Sequence, residues 1–236
     1  MNEPEIRKRV AIINRKLDKS GLVTQTFGNA SARDPLNNDI YIKPSGVPFS
    51  KITPTNIVRT DSEGANYGES KPSVDLPVHI EIYNNFSSIN GVIHTHSHYA
   101  TVFAQAKKSI PCLGTTHADY FRRDIPVIRD LYSEEIENNY EKNLGRIIVS
   151  FFGEKKLNSL DISAVLVPSH GPFVWGETIE SAFEKALALE EIAKLAFHTL
   201  VLGRNESCSA NTMSIKPELV EKHFSRKHGK NKYYGQ

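Results

Sequence analysis

Cysteine is scarce in this chain of 236 residues: there are two, Cys112 and Cys208, far apart and with no CxxC pair. That usage argues against a disulfide framework and makes the cytoplasm the expected compartment. Long apolar runs are missing too. Nothing approaches the ~20 consecutive apolar residues that span a bilayer, so no membrane partner is expected. The N-terminal stretch "MNEPEIRKRV" lacks the apolar centre of a secretion signal. A surplus of either charge is also absent. Lys and Arg number 29 against 27 Asp and Glu, a formal +2. Such a balance carries no nucleic-acid signature, and any basic patch must be local. The C-terminal "KHFSRKHGKNKYYGQ" is one such patch.

What is present reads as one domain over residues 1–236, with no repeat and no low-complexity linker. Residues 4–20 place Ile6, Val10, Ile13 and Leu17 on one helical stripe, with Gly21 as the stop. "DIYIKPSG" alternates like a strand and breaks at Pro44-Ser45-Gly46. Thr53 before Pro54 is read as a helix start. A helix is expected from about Asp75 to Pro77 onward, then an apolar strand "GVIHTH", then a helix over about 99–108. Residues 133–142 and 145–156 look helical, although "RIIVSFF" could also be a strand. "SAVLVPSHGPFVWG" gives two strands around a turn at 169–171. The longest helix is predicted over 178–202, capped by Thr178 and stopped by Gly203, and a last one begins near Pro217. Alternating strands and helices point to an α/β or α+β sandwich, a sheet covered by helices.

Three histidines crowd into "IHTHSH", at 94, 96 and 98. Side chains in a strand alternate faces, so His94 and His96 would point the same way. One HxH is a common pattern and defines no metal site by itself. His170, on the Gly-Pro turn of "SHGPF", and Asp75, at a helix start, complete a set of three imidazoles and a carboxylate. Zinc and other divalent transition metals accept that donor set. Ligands spread over positions 75, 94, 96 and 170 imply a site assembled by a fold. His98 is left out of this set. His79, His198, His223 and His228 are read as structural, and His117, close to Asp119, as a candidate supporting residue.

Three loops carry groups that a phosphate dianion needs. "TFGNASARD" offers Gly28 and Asn29 in a turn, "IKPSGV" offers Lys43, Ser45 and Gly46, and "KPSVD" offers Lys71, Ser73 and a helix N-terminus. Each alone is an ordinary turn. Together they supply hydroxyls, glycine amides and a positive helix end. No Walker or dinucleotide fingerprint is present, so nucleotide binding is not indicated.

Taken in order, "FGNASARD", "IKPSGV", "KPSVDLPVH", "IHTHSHYATVFAQA", "IPCLGTTHADYF", "VPSHGPFVWG" and "HFSRKHGKNKYYGQ" resemble the class II (zinc) aldolase and epimerase family almost end to end. Within it, the blocks look most like the branch that epimerises a pentulose phosphate at C4. The resemblance implies a central, mostly antiparallel sheet flanked by helices. It implies a homotetramer with active sites at subunit interfaces and a C-terminal tail, about 226–236, that closes over substrate. It implies one Zn2+ or similar ion per subunit on Asp75, His94, His96 and His170. Phosphate would be held by Gly28, Asn29, Ser45, Gly46, Ser73 and Val74, with Lys43 beside them and Asp75 adjoining. Asp119 would be a catalytic acid/base, and Tyr234 its partner on the opposite face, both reaching the metal site from a neighbouring subunit. Glu141, His223 and Arg226 fall on family positions with supporting roles.

The implied reaction interconverts L-ribulose 5-phosphate and D-xylulose 5-phosphate. C4 bears no acidic hydrogen, so inversion there requires cleaving C3–C4 to an aldehyde and an enediolate, turning the aldehyde, and re-forming the bond. One departure stands out. The family reads Ser-Ser-Asp where this chain has Ser73-Val74-Asp75, so one hydroxyl to the phosphate is missing. Two rival readings share these residues: a sugar-phosphate aldolase of the L-fuculose-phosphate type, and a zinc-stabilised sugar-phosphate binding module without activity.

Overall fold

The computed structural model describes residues 2–203, 214–230 and 232–234. Helix α1 (Glu3–Lys19) begins at Asn2, whose side chain accepts from the Glu5 amide. It is stopped by Gly21, just past the Ser20 cap, where φ is +74° and a side chain would be strained. Its stripe of Ile6, Val10, Ile13 and Leu17 is buried as the spacing predicts.

Six strands follow: β1 (Asn29–Arg33), β2 (Ile40–Ile42), β3 (Val58–Thr60), β4 (Gly91–His94), β5 (Ala164–Val167) and β6 (Gly171–Gly176). They form one sheet in the order β3-β2-β1-β4-β6-β5, and every neighbouring pair is antiparallel. The sheet is covered on both faces, and period-two alternation divides each strand between two cores. Tyr41, Ile93, Ala164, Leu166 and Val174 pack on one side with α1 and with α7 (Ile179–Leu202). Ile40, Ile42, Val92, Val165, Phe173 and Trp175 pack on the other with α2 (Leu76–Asn85) and α6 (Tyr140–Glu154). This is the expected single α/β unit, with an antiparallel sheet between helical layers.

The remaining helices are α3 (His98–Gln105), α4 (Thr115–Ala118), α5 (Ser133–Glu137) and α8 (Pro217–His228). "RIIVSFF" resolves as helix, because Leu144, Ile147, Ile148 and Phe152 fall on one buried helical face. Thr178 caps α7 by accepting from the Ser181 amide. Three expectations are corrected. Thr53-Pro54 opens no helix. Asn56 binds the Thr53 amide and the Lys51 carbonyl to close a turn, which then feeds β3, a strand not anticipated. Asn29 is the first residue of β1 rather than part of the turn before it. β4 stops at His94, so His96 lies beyond the ladder. Residues 226–228 of the expected tail are the last turn of α8, while residues 231, 235 and 236 lie outside the described residues.

Candidate metal and phosphate site

The site forms where β1, β4 and β6 end together. His94 closes β4 and pairs with Asn29 on one side and Phe173 on the other. The Pro172 carbonyl, 3.0 Å away, accepts from its Nδ1. That fixes the tautomer and leaves the Nε2 lone pair free. Nε2 of His96 lies 3.0 Å from it. His170 enters from the β5–β6 turn, after Ser169 at φ +59°. Ligand nitrogens of His94, His96 and His170 all fall within 4.8 Å of one another. Burial lowers all three imidazoles, His94 to about 3, so each stays neutral near pH 7. Neutral imidazoles converging on one point are what a divalent transition metal requires.

Asp75 stands at the edge of this group. It is the N-cap residue of α2, yet its side chain does not cap the helix. Its Oδ2 instead accepts from Asn29 Nδ2 at 2.7 Å. Its negative charge reaches His96 and His170, partly opposing the effect of burial. The carboxylate is outside the set of nitrogens within 4.8 Å, so a fourth bond from Asp75 would need an adjustment of its side chain.

The three phosphate-type loops meet beside it. The Ser45 amide donates to Lys71 O and the Ser73 amide to Lys43 O, each at 2.9 Å. Asn29 Nδ2 also reaches Ser73 Oγ at 2.9 Å. Gly28 has φ +88°, and a Cβ there would lie 2.7 Å from His94 O, so both conformation and space demand glycine. Gly46, at φ +69°, faces open space. Lys43 is only 2% exposed; its Nζ lies over the Phe49 ring at 4.9 Å. Burial lowers its pKa, and the charge of Asp75 pulls it back up. Val74, by contrast, is 64% exposed.

Asp119 and Tyr234 belong to a second cluster built on α8. The Asp119 carboxylate accepts from Arg226 at 3.1 and 2.9 Å and lies 3.0 Å from His223 Nδ1. His228 Nε2 donates to its backbone carbonyl at 2.8 Å. The Arg226 guanidinium in turn covers the Tyr234 ring at 4.3 Å. The amides of Tyr233 and Tyr234 both donate to Arg226 O. Asp119 thus bonds with α8, and none of its hydrogen bonds reaches the three imidazoles. His117 donates to Arg123 O through Nε2, and among the described residues its ring meets Phe121 rather than an imidazole of the triad.

Two residues escaped sequence reasoning. Tyr140, at the start of α6, brings its hydroxyl to 3.4 Å from His170 Nδ1, one residue before Glu141. Phe27 stacks on His96, with centroids 5.8 Å apart and planes 14° from parallel. The aromatic in "TFGN" was the available signal for the second; nothing in the sequence pairs Tyr140 with position 170. His79 is fully buried on α2, its Nδ1 2.7 Å from Ser31 Oγ, which also meets the Tyr83 hydroxyl.

The family model described as Class II Aldolase and Adducin N-terminal domain matches residues 8–197, and the chain belongs to that family. Solved structures share its fold. An L-fuculose 1-phosphate aldolase is 24% identical, with a TM-score of 0.73 over 92% of this chain and 95% of its own. YgbL from Klebsiella pneumoniae, whose title leaves aldolase, epimerase and decarboxylase open, is 20% identical, with a TM-score of 0.75 over 94% and 99%. L-fuculose-1-phosphate aldolase from Thermus thermophilus is 22% identical, with a TM-score of 0.67 over 86% and 100%.

Proposed function

We propose that this chain is a metal-dependent epimerase that interconverts L-ribulose 5-phosphate and D-xylulose 5-phosphate. The observation that carries the reading is the meeting of His94, His96 and His170 within 4.8 Å, beside loops 28–29, 43–46 and 71–75. A divalent ion held there would supply Lewis acidity to the C2 carbonyl and C3 hydroxyl oxygens.

The chain's own groups do the rest. Asn29, Ser45, Gly46 and Ser73, with the amide of Val74, anchor the phosphate. The fragment carrying it stays bound while its aldehyde turns. Asp119 and Tyr234 exchange a proton with the C4 oxygen from opposite faces, so the re-formed C3–C4 bond carries either configuration. Their common attachment to Arg226 supports treating them as one unit. The hydrogen bonds of Asp119 run to α8 and not to the imidazoles, which supports delivery from a neighbouring subunit of a homotetramer. The near-neutral charge supports a small-molecule partner rather than nucleic acid. Among the described residues no helix is long and apolar enough to cross a membrane, and the cytoplasm remains the proposed compartment.

The aldolase reading is favoured by one observation: two of the neighbours are named L-fuculose-1-phosphate aldolases. One assay separates the two. Zinc-loaded protein is incubated with L-ribulose 5-phosphate, and the products are resolved over time. D-xylulose 5-phosphate as the main product supports the epimerase; free glycolaldehyde phosphate as the main product overturns it. Tyr234→Phe is expected to keep its metal and lose most turnover. A near wild-type rate would remove Tyr234 from the mechanism.

A further inference from the structure

The three imidazoles are not held alike. His94 is pinned by Pro172 O at 3.0 Å and by a flat stack on Phe173, 4.3 Å between centroids. His170 meets the Tyr140 hydroxyl, and its amide donates to Val167 O. His96 lies two residues past the last ladder pair of β4. Among the described residues the aromatic rings against it are His94, His170 and, outside the triad, Phe27.

Phe27 is itself only partly packed. The ring is 52% exposed, so hydrophobic burial explains little of its placement. The backbone nevertheless holds it there. Asn29 and His94 form the end pair of the antiparallel β1–β4 register, and Phe27 and His96 each lie two residues beyond it, on the same side of the ladder's end. Gly28, between them in the chain, is locked at φ +88° against His94 O. The Phe27 amide donates to Thr24 O at 3.0 Å.

We propose that Phe27 is the positioning residue for His96: the near-parallel stack fixes the imidazole plane and so aims Nε2 at the point shared with His94 and His170. This rests on reading the triad as a metal site. A ring stacked flat on an imidazole leaves rotation within the plane possible but removes tilt. It also favours the electron-poor ring that results when an imidazole gives its lone pair to a cation. Phe27 acts only through His96.

The test measures metal affinity and needs no turnover. Zn2+ is titrated against a chromophoric chelator with wild-type protein, Phe27→Ala, Phe27→Tyr and His96→Asn, and each metal-free protein is melted in parallel. Phe27→Ala is expected to bind Zn2+ roughly 10–100-fold more weakly, the usual effect of losing a group that orients a ligand. Phe27→Tyr should restore binding, and the metal-free midpoints should coincide. Undiminished affinity in Phe27→Ala, with His96→Asn weakened, overturns the positioning role alone. Undiminished affinity in His96→Asn overturns the metal reading itself. A lowered metal-free midpoint in Phe27→Ala, accounting for the whole loss, would make Phe27 merely structural and also overturns the proposal.

Discussion

Arg226 Nη2 lies 2.9 Å from Asp119 Oδ2, while the same guanidinium sits 4.3 Å from the centre of the Tyr234 ring. One cation therefore aligns a carboxylate from α4's C-terminal end and a phenol from the last described residue. Arg226→Ala should release both. The expected result is a fall in kcat of tenfold or more, from the loss of charged hydrogen bonds of ~1.5–3 kcal/mol. Zn2+ content should not change. Steady-state kinetics with metal analysis on the same sample checks this, and an unaltered kcat refutes it.

Removing the metal should spare the fold. The two hydrophobic cores close around the sheet without help from the imidazoles, which lie at the ends of β4 and β6. A chelator should abolish activity while far-UV circular dichroism is retained, and added Zn2+ should restore it. Collapse of the spectrum on chelation would mark a structural ion instead.

Val74 sits, well exposed, between Ser73 and Asp75 at the phosphate loops. A hydroxyl at that position would add a hydrogen bond to a charged acceptor, worth ~1.5–3 kcal/mol. Val74→Ser should therefore lower KM for a phosphorylated substrate by about tenfold and leave kcat nearly fixed. An unchanged KM would mean the position does not limit phosphate binding.

Lys185 is buried on α7, and burial lowers its pKa from 10.5 to about 8, with Glu177 and Glu184 opposing and Lys227 reinforcing the shift. His228 feels its charge as well. A lysine with a depressed folded pKa binds fewer protons than the unfolded chain between about pH 8 and 10.5, so its contribution to stability rises across that window. Below it, the buried ammonium carries its full cost. Lys185→Met should raise Tm at pH 7 and flatten the rise in stability above pH 8. Melts at pH 7 and pH 10 test both; a lower Tm at pH 7 would show that the ammonium is compensated.

The sequence made much of this legible, for identifiable reasons. Buried stripes at helical spacing located α1 and α7, and the Gly21 and Thr178 signals bounded them, because caps and periodicity are local physics. His94, His96 and His170 could be grouped because a strand end and a tight turn present side chains predictably. Asp75 was placed correctly at a helix start. Its pairing with Asn29, across 46 residues of chain, is a tertiary fact that no window contains. Tyr140 beside His170 is another. β3 is hard to read because "NIVRT" is short and lies at the edge of the sheet beside β2. The attachment of Asp119 to α8 likewise joins the middle of the chain to its last helix, over a hundred residues apart.

The chain contains one tryptophan, Trp175, fully buried on β6, with its indole nitrogen donating to Ser159 O at 2.8 Å and its ring packed among Phe86 and Phe152. The sheet turns that ring toward α2 and α6, near the opposite end of the strand from the His170 turn. Its intrinsic emission is thus a built-in gauge of whether that half of the molecule has melted. It should stay quiet while ions or sugars come and go at the far end.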